Sequence, residues 1–408
     1  MSWLVFVESN TSGTGRLFPR AAQAQRYNPV VLVEDPARYP YLDHDGVPFV
    51  ITDTSDIETL QRALKELSKD SPVAGIYSSS EYFVETVAKL AALQGLAGPD
   101  ENAVAQCRDK WQQRCRLREN GVRTPEFWRV ESDREVARVL CGVRFPVVVK
   151  PTFGSGSVGV KLCKTAVEAR EQVKMLLHRR ENERGIPVPR EVLIEEYLDG
   201  PEYSVEMMGL ESLGVTRKHL SPKPFFVEIG HDFPAVLAVD DAARVLKVVK
   251  EALRTLSLVW GPSHVEVRLT SDGPAVVEIN PRLAGGYIPE LVRLASGIDP
   301  VAETIRLVTG GRAEIRGDLH AYASIRFLMA PGPGIITEFK GVQDAWRVDG
   351  VSNVQLYKTV GQALSIHRDF RDRIGHVISQ AAFADHAAFI ADEAMSRIEV
   401  CVDQAGVN

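Results

Sequence analysis

His264-Val265-Glu266-Val267-Arg268-Leu269-Thr270, then Ser271-Asp272-Gly273-Pro274, then Ala275-Val276-Val277-Glu278-Ile279-Asn280-Pro281-Arg282 follow one another without a break. Polar and apolar residues alternate on both sides of the turn. Residues two apart in a strand share a face, so Glu266 lies with His264 and Arg268, and Glu278 lies with Asn280. Val265, Val267, Val277 and Ile279 take the other face, toward a core. A hairpin closed around Asp272-Gly273 brings Glu266 opposite or nearly opposite Glu278. Like charges that face each other destabilise a sheet unless something neutralises them. A hard divalent cation does so. Carboxylate and amide oxygens suit Mg²⁺, which keeps waters and is shared with substrate phosphates. Glu266, Glu278 and Asn280 are therefore the candidate metal ligands. The alternative is a solvated polar face with Arg268 and Arg282 as ion-pair partners.

Upstream, Gly154-Ser155-Gly156-Ser157-Val158-Gly159 fits G-x-G-x-x-G. Val147–Lys150 before it and Val160–Lys164 after it both read as strands. A dinucleotide fingerprint needs a helix after the loop, and Walker A needs G-K-[ST]. The H-R-D and D-F-G motifs of a protein kinase are also missing. A strand–loop–strand of this kind folds over triphosphate oxygens, offering backbone N–H donors without side-chain bulk; the alternative is a plain glycine hairpin. Lys150 ends the strand before the loop, where an ammonium can meet phosphates as a point charge. Lys110, in Arg108-Asp109-Lys110, reads as a surface lysine by itself. Glu195-Glu196-Tyr197-Leu198 can offer backbone groups to an adenine edge, and Glu202 can accept from ribose hydroxyls. Gly13-Thr14-Gly15, with Glu34-Asp35 about 20 residues on, imitates a dinucleotide site, but Phe18 stands where its third glycine belongs. That loop reads as a helix N-terminus able to hold an anion, or as a capped loop without a ligand.

The whole chain has 408 residues, 45% of them hydrophobic and 25% charged, with a net charge of −6. At roughly 150 residues per domain this suggests two or three domains. The acidic balance argues against a nucleic-acid partner. No apolar run approaches a membrane span, and the apolar stretch Met1–Val7 meets Glu8 without a basic leader, so it reads as a first strand. Five cysteines, none spaced C-x-x-C, point to a reducing cytoplasm. Residues 1–100 alternate strands (Leu4–Val7, Val30–Val33, Phe49–Thr52, Ala74–Ser78) with helices (Arg16–Tyr27, Ile57–Leu67, Tyr82–Gln94). That order predicts a parallel, doubly wound sheet. Asn102–Asn120 reads as one charged helix, Val167–Arg180 and Ala242–Leu258 as further helices, and Val192–Glu196 and Tyr203–Gly209 as strands. Beyond residue 313 the pattern is short strands with glycine turns and a final helix at His386–Ser396.

Lys110, Lys150 with Gly154–Gly159, Glu195 to Leu198 with Glu202, Glu266, and Glu278-x-Asn280-x-Arg282, in this order, resemble the ATP-grasp superfamily. His264-x-Glu266-x-Arg268-Leu269-Thr270, Asn280-Pro281-Arg282-Leu283-Ala284-Gly285-Gly286 and Glu228-x-x-His231 resemble, more narrowly, its L-amino acid ligase group. The resemblance implies a mixed α/β and α+β fold. It has a Rossmann-like domain at 1–100, an ATP-grasp domain at 101–312 (glycine-loop lobe about 125–200, metal-binding lobe about 201–312) and a β-rich lid or dimer region at 313–408 that completes the ATP-grasp unit. It implies ATP between two lobes: Lys110, Lys150 and the loop residues Gly154, Ser155, Gly156, Ser157, Val158 and Gly159 on phosphates, Glu195, Glu196, Tyr197 and Leu198 at adenine, Glu202 on ribose. Glu266, Glu278 and Asn280 would hold two Mg²⁺ ions, with Mn²⁺ able to substitute. Arg282 would bind the substrate carboxylate and acyl-phosphate, with His264, Arg268, Gly285 and Gly286 lining the substrate and Glu228 and His231 on the acceptor or phosphate side. The implied activity is amide formation between a carboxylate and an amine by way of an acyl-phosphate, in a cytoplasmic homodimer. An ATP-grasp carboxylase or formate-activating enzyme and a non-catalytic ATP-binding regulator are the competing readings.

Overall fold

The computed structural model describes residues 1–10 and 13–403. The N-terminal unit is a four-stranded parallel sheet in the spatial order Phe49–Ile51, Asn28–Val33, Trp3–Val7, Val73–Tyr77. Its first strand shows why it is covered on both faces. Leu4 and Phe6 pack with Phe18 and Ala22 of helix Leu17–Ala24, while Val5 and Val7 pack with Leu60 and Leu64 of helix Ile57–Asp70. Side chains alternate across a strand, so an all-apolar strand needs a helix on each side. Asp56 starts the second helix by accepting from the Glu58 and Thr59 amides, a cap that contributes about 1 kcal/mol. Gly13–Arg16 forms one 3-10 turn ahead of Leu17, so the first helix starts later than its sequence spacing suggests. Helix Pro300–Val308 covers the Leu4 and Phe6 face with Val301, Ile305 and Val308.

The expected helix 102–120 is two helices, Glu101–Arg108 and Lys110–Glu119. Asp109 breaks the run with extended backbone (φ −91, ψ 106) and caps the second helix through the Trp111 and Gln112 amides. Polar periodicity looks continuous across such a break because the cap is itself polar. The break also turns Lys110 inward, its amide bonded to the Thr152 carbonyl at 3.1 Å.

The glycine-loop unit is an antiparallel sheet ordered Phe127–Val130, Val192–Glu196, Val147–Pro151, Lys161–Cys163. Helices Asp133–Leu140 and Ala166–His178 pack on its apolar face. Beside it stands an eight-stranded antiparallel sheet, ordered Gly273–Asn280, Pro262–Thr270, Glu202–Met208, Glu211–Leu220, Glu228–Phe233, Tyr322–Met329, Arg373–Ala381, Val351–Leu356. Val245, Val249, Ala252 and Leu253 of helix Val239–Thr255 seal one of its faces. This sheet runs straight through position 312: three of its strands come from the last hundred residues. The remainder of that stretch forms a small sheet of Gly334–Lys340, Ala363–Leu364 and Glu399–Asp403, the last of these following helix Ala384–Ser396.

In the hairpin, Glu266 pairs directly with Glu278, and His264 with Asn280. A bulge follows, because Val267 pairs with Val276 and leaves Val277 as an extra residue. Val276 therefore enters the core and Val277 turns to the cavity, reversing the expected orientation. A one-residue insertion flips every side chain beyond it.

Candidate active site

The two sheets and the N-terminal unit enclose a cavity of about 750 Å³. Every predicted site residue except Gly159 and the fully buried His231 lines it. Gly159 lies at the loop's far end, where its carbonyl accepts from Gln172 at 2.8 Å. At one end, Lys150 leaves its strand beside Glu195, with Nζ 2.6 Å from Oε2. Arg114 holds the other carboxylate oxygen of Glu195 at 2.8 Å. The Glu195 side chain is thus committed to two buried cations. Burial lowers the Lys150 pKa despite that partner. Lys110 reaches the Gly154 carbonyl at 2.7 Å and Glu278 at 3.2 Å. The loop takes left-handed backbone at Gly156 (φ 67), and a Cβ there would run into the Phe370 ring. The Phe370 amide donates to the Gly156 carbonyl at 3.2 Å, and Ser157 Oγ donates to the Phe226 carbonyl at 2.7 Å.

Arg268, expected along the substrate, lies beside Leu198 and Glu202, the residues expected at adenine and ribose. It donates to the Leu198 carbonyl at 2.8 Å and twice to Glu202, at 3.0 and 2.9 Å. It also stacks near Tyr197 and Phe226. Glu202, expected on ribose, is held by Arg268 and by Lys218 at 2.9 Å. Glu196 turns outward, accepting from the Glu126 amide at 3.1 Å.

Lys218 is the centre of the carboxylate cluster. Its ammonium lies 2.9, 2.8 and 2.7 Å from Glu202, Glu228 and Glu266. Burial works against ionisation of Glu266, but Lys218 and His264 outweigh it and hold its carboxyl well below the usual carboxylate range. His264 itself lies between Glu206 and Glu266. Burial opposes its charge, yet the two carboxylates raise its pKa to about 9. Glu228 also pairs with Arg373 at 2.6 Å and stands 3.6 Å from His231. His231 is fully buried, has no hydrogen-bond partner on either ring nitrogen, and is pushed by burial to about 3. Gly286 leaves the room this imidazole needs, since a Cβ there would sit 2.8 Å from its Nε2.

Arg282 ends on Glu81, Nε to Oε2 at 2.5 Å. Glu81 also binds Arg108 at 3.0 Å, and these cations overcome its burial and hold it at about 2. The Asn280 amide nitrogen bridges Glu278 Oε1 at 3.1 Å and Glu81 Oε2 at 3.3 Å in the orientation that satisfies both. Sequence reasoning missed Glu81 and Lys218. Glu81 follows the carboxyl end of parallel strand Val73–Tyr77, where open α/β sheets bind ligands. Lys218 shares the inward period of Thr216 on strand Glu211–Leu220. Either pattern could have flagged it. Among the described residues, no three His, Cys, Asp or Glu side chains converge as a ready metal cluster. Glu266 and Glu278 facing each other, with Asn280 alongside, still make a hard-oxygen donor set that phosphate oxygens and waters would complete.

Residues 143–290 match the ATP-grasp domain family, and residues 326–403 match the L-amino acid ligase C-terminal domain 2. An uncharacterized protein of Sinorhizobium fredii is 36% identical over 396 residues, covering 97% of this chain and 82% of that one. This chain belongs to the ATP-grasp superfamily, in its L-amino acid ligase group. The alanine–anticapsin ligase of Bacillus amyloliquefaciens is 27% identical over 249 residues, 56% of this chain and 52% of that protein, so the ATP-grasp chain spans about half the length of that named relative. The L-amino acid ligase of Bacillus licheniformis superposes with a TM-score of 0.84 over 99% of both chains at 20% identity, which shows the shared fold. No described helix of this ATP-grasp protein is long and apolar enough to cross a membrane.

Proposed function

We infer that this ATP-grasp protein joins the carboxylate of one amino acid to the amine of another, forming a peptide bond with release of ADP and phosphate. The observation that carries the reading is the convergence of the glycine loop and its two lysines, the facing glutamates, Arg282 and Glu228 on one cavity, with His231 buried 3.6 Å from Glu228. A carboxylate is a poor electrophile, and transfer of the ATP γ-phosphoryl group to it gives an acyl-phosphate with a good leaving group. Lys110 and Lys150 hold the phosphate oxygens, with the loop's backbone N–H groups as further donors. Glu266, Glu278 and Asn280 would hold Mg²⁺, two ions in our reading, with Mn²⁺ as a substitute. The metal, when bound, neutralises and orients phosphate oxygens. Arg282 receives the carboxylate that is to be activated.

Glu228, held ionised, is the counter-charge for the incoming ammonium. His231, fully buried beside Glu228, stays a neutral imidazole. A group with pKa about 3 is a poor base for an amine near 8; the transfer is about 7 kcal/mol uphill. The proton therefore leaves with the departing phosphate, a more basic acceptor than this imidazole. The glycine loop, closed against Phe370, keeps water from the intermediate.

The test is ADP and phosphate release with ATP, Mg²⁺ and amino acids supplied singly and in pairs, with mass spectrometry of products. A product lighter than the pair by one water establishes the ligase and names both substrates. Turnover with bicarbonate alone, or none with any pair, overturns it. We also expect a cytoplasmic homodimer, which light scattering of the purified protein measures.

A further inference from the structure

Six arginines line the cavity, and five of them face a carboxylate. Arg268 pairs with Glu202, Arg282 with Glu81, Arg371 with Asp369, Arg373 with Glu228, and Arg38 with Asp35 at 3.5 Å. Arg184 is the exception: no described carboxylate lies within 4.0 Å of it. Its guanidinium donates only to neutral oxygens, the Tyr39 hydroxyl at 3.2 Å and the Ser9 carbonyl at 2.9 Å. Neighbouring Glu183 is occupied by Arg179 and Tyr82. Tyr39 is held in turn, because its hydroxyl donates to buried Glu8, which also accepts from Thr54 at 3.0 Å. The guanidinium is thus fixed in place with donors to spare, the arrangement that suits forked recognition of a carboxylate.

Its place in the cavity says which carboxylate. The Tyr82 ring has Arg184 at 5.8 Å and Arg108 at 5.7 Å from its centroid, and Arg108 shares Glu81 with Arg282. Arg184 therefore stands one aromatic ring away from the pair that reads the reacting carboxylate. In a reaction between two amino acids, that carboxylate is consumed, and the partner supplying it presents an ammonium, which Arg184 and Arg38 repel. The anion left over is the carboxylate of the amine-side substrate, which survives as the product's C-terminus.

We propose that Arg184, positioned by Tyr39, binds the free carboxylate of the amine-side amino acid and so selects amino acids over simple amines as acceptors. This rests on the ligase reading. The test uses the twenty L-amino acids and their α-carboxamides as amine substrates, with wild type, Arg184→Gln, Arg184→Lys and Tyr39→Phe. Loss of a charge-assisted hydrogen-bonded pair predicts that Arg184→Gln raises KM for the amine-side amino acid about 10- to 100-fold. KM for ATP and for the carboxylate-side amino acid stay within about twofold, and Arg184→Lys recovers part of the loss. Wild type prefers the acid over its carboxamide, and Arg184→Gln loses that preference. Tyr39→Phe, which frees the guanidinium without removing it, moves KM in the same direction by less. ADP binding by calorimetry checks that each variant is folded. A rise confined to KM for ATP or for the carboxylate-side substrate overturns the assignment. So does an acid-to-carboxamide preference equal in wild type and Arg184→Gln. A wild type that joins no pair overturns the ligase reading itself, a distinct failure.

Discussion

Lys218 neutralises three carboxylates that belong to three different strands, Glu202, Glu228 and Glu266. Removing one partner from a buried ionic cluster leaves unpaired charge and costs about 3–5 kcal/mol. Lys218→Met is therefore expected to lower the denaturant midpoint sharply. Added Mg²⁺ should restore more stability to this variant than to wild type, because the freed Glu266 faces Glu278 across the hairpin. Equal Mg²⁺ effects on both proteins would argue against a cation site there. His264 carries a second expectation. Its folded pKa of about 9 lies above the unfolded value near 6.5. Its contribution is thus fully present below about pH 6.5 and is lost as pH rises through 9, at most about 3 kcal/mol in all. Wild-type stability should fall across that window. His264→Gln, weaker at pH 6, should show a flatter profile, and parallel profiles would remove His264 as the source. At this scale the sequence was legible where partners sit close along the chain, as Glu266 and Glu278 do across one turn. Lys218 escaped notice because its three partners lie on three strands, and only the pairing of those strands in the sheet gathers them around it.

Among the elements, the segment around Phe370 does the most for the site. Asp369 caps its short turn through the Arg371 amide at 3.0 Å, Phe370 meets the glycine loop, and Arg373 crosses to Glu228. A C-terminal segment thereby holds the glycine loop against the cavity. Phe370→Ala should loosen that closure without touching Lys110 or Lys150. The expected signature is a several-fold rise in ADP formed per product formed, as water competes for the acyl-phosphate, with nucleotide affinity little changed. A parallel fall in ADP and product, with their ratio unchanged, would mean the ring serves only the fold. The strands of the N-terminal unit and the glycine loop were readable from apolar runs and glycine spacing. The helix break at Asp109 and the bulge at Val277 were not. A polar cap inside a polar helix leaves the period intact, and a bulge is a property of two strands together rather than of either one.

For the molecule as a whole, the stretch expected as a lid or dimer region completing the ATP-grasp unit supplies three of the eight strands in the central sheet. Strand Tyr322–Met329 covers the edge of Glu228–Phe233, with His231 facing Ile325 in register. Phe233, Ala323, Ile325 and Ile378 form one buried cluster with helix Ile288–Ser296. Each fully buried apolar side chain of this size contributes about 1.5–3 kcal/mol, and an uncovered strand edge invites association. A chain ending at residue 312 would keep every residue assigned to nucleotide and metal, from Lys110 to Asn280. It would nevertheless expose that apolar cluster, open the edge beside Glu228, and remove both Arg373 and Phe370. The expectation is that residues 1–312 expressed alone are aggregated or unfolded and bind no ADP by calorimetry. A soluble, ADP-binding fragment would show instead that the catalytic half is self-sufficient and that the C-terminal strands only decorate it.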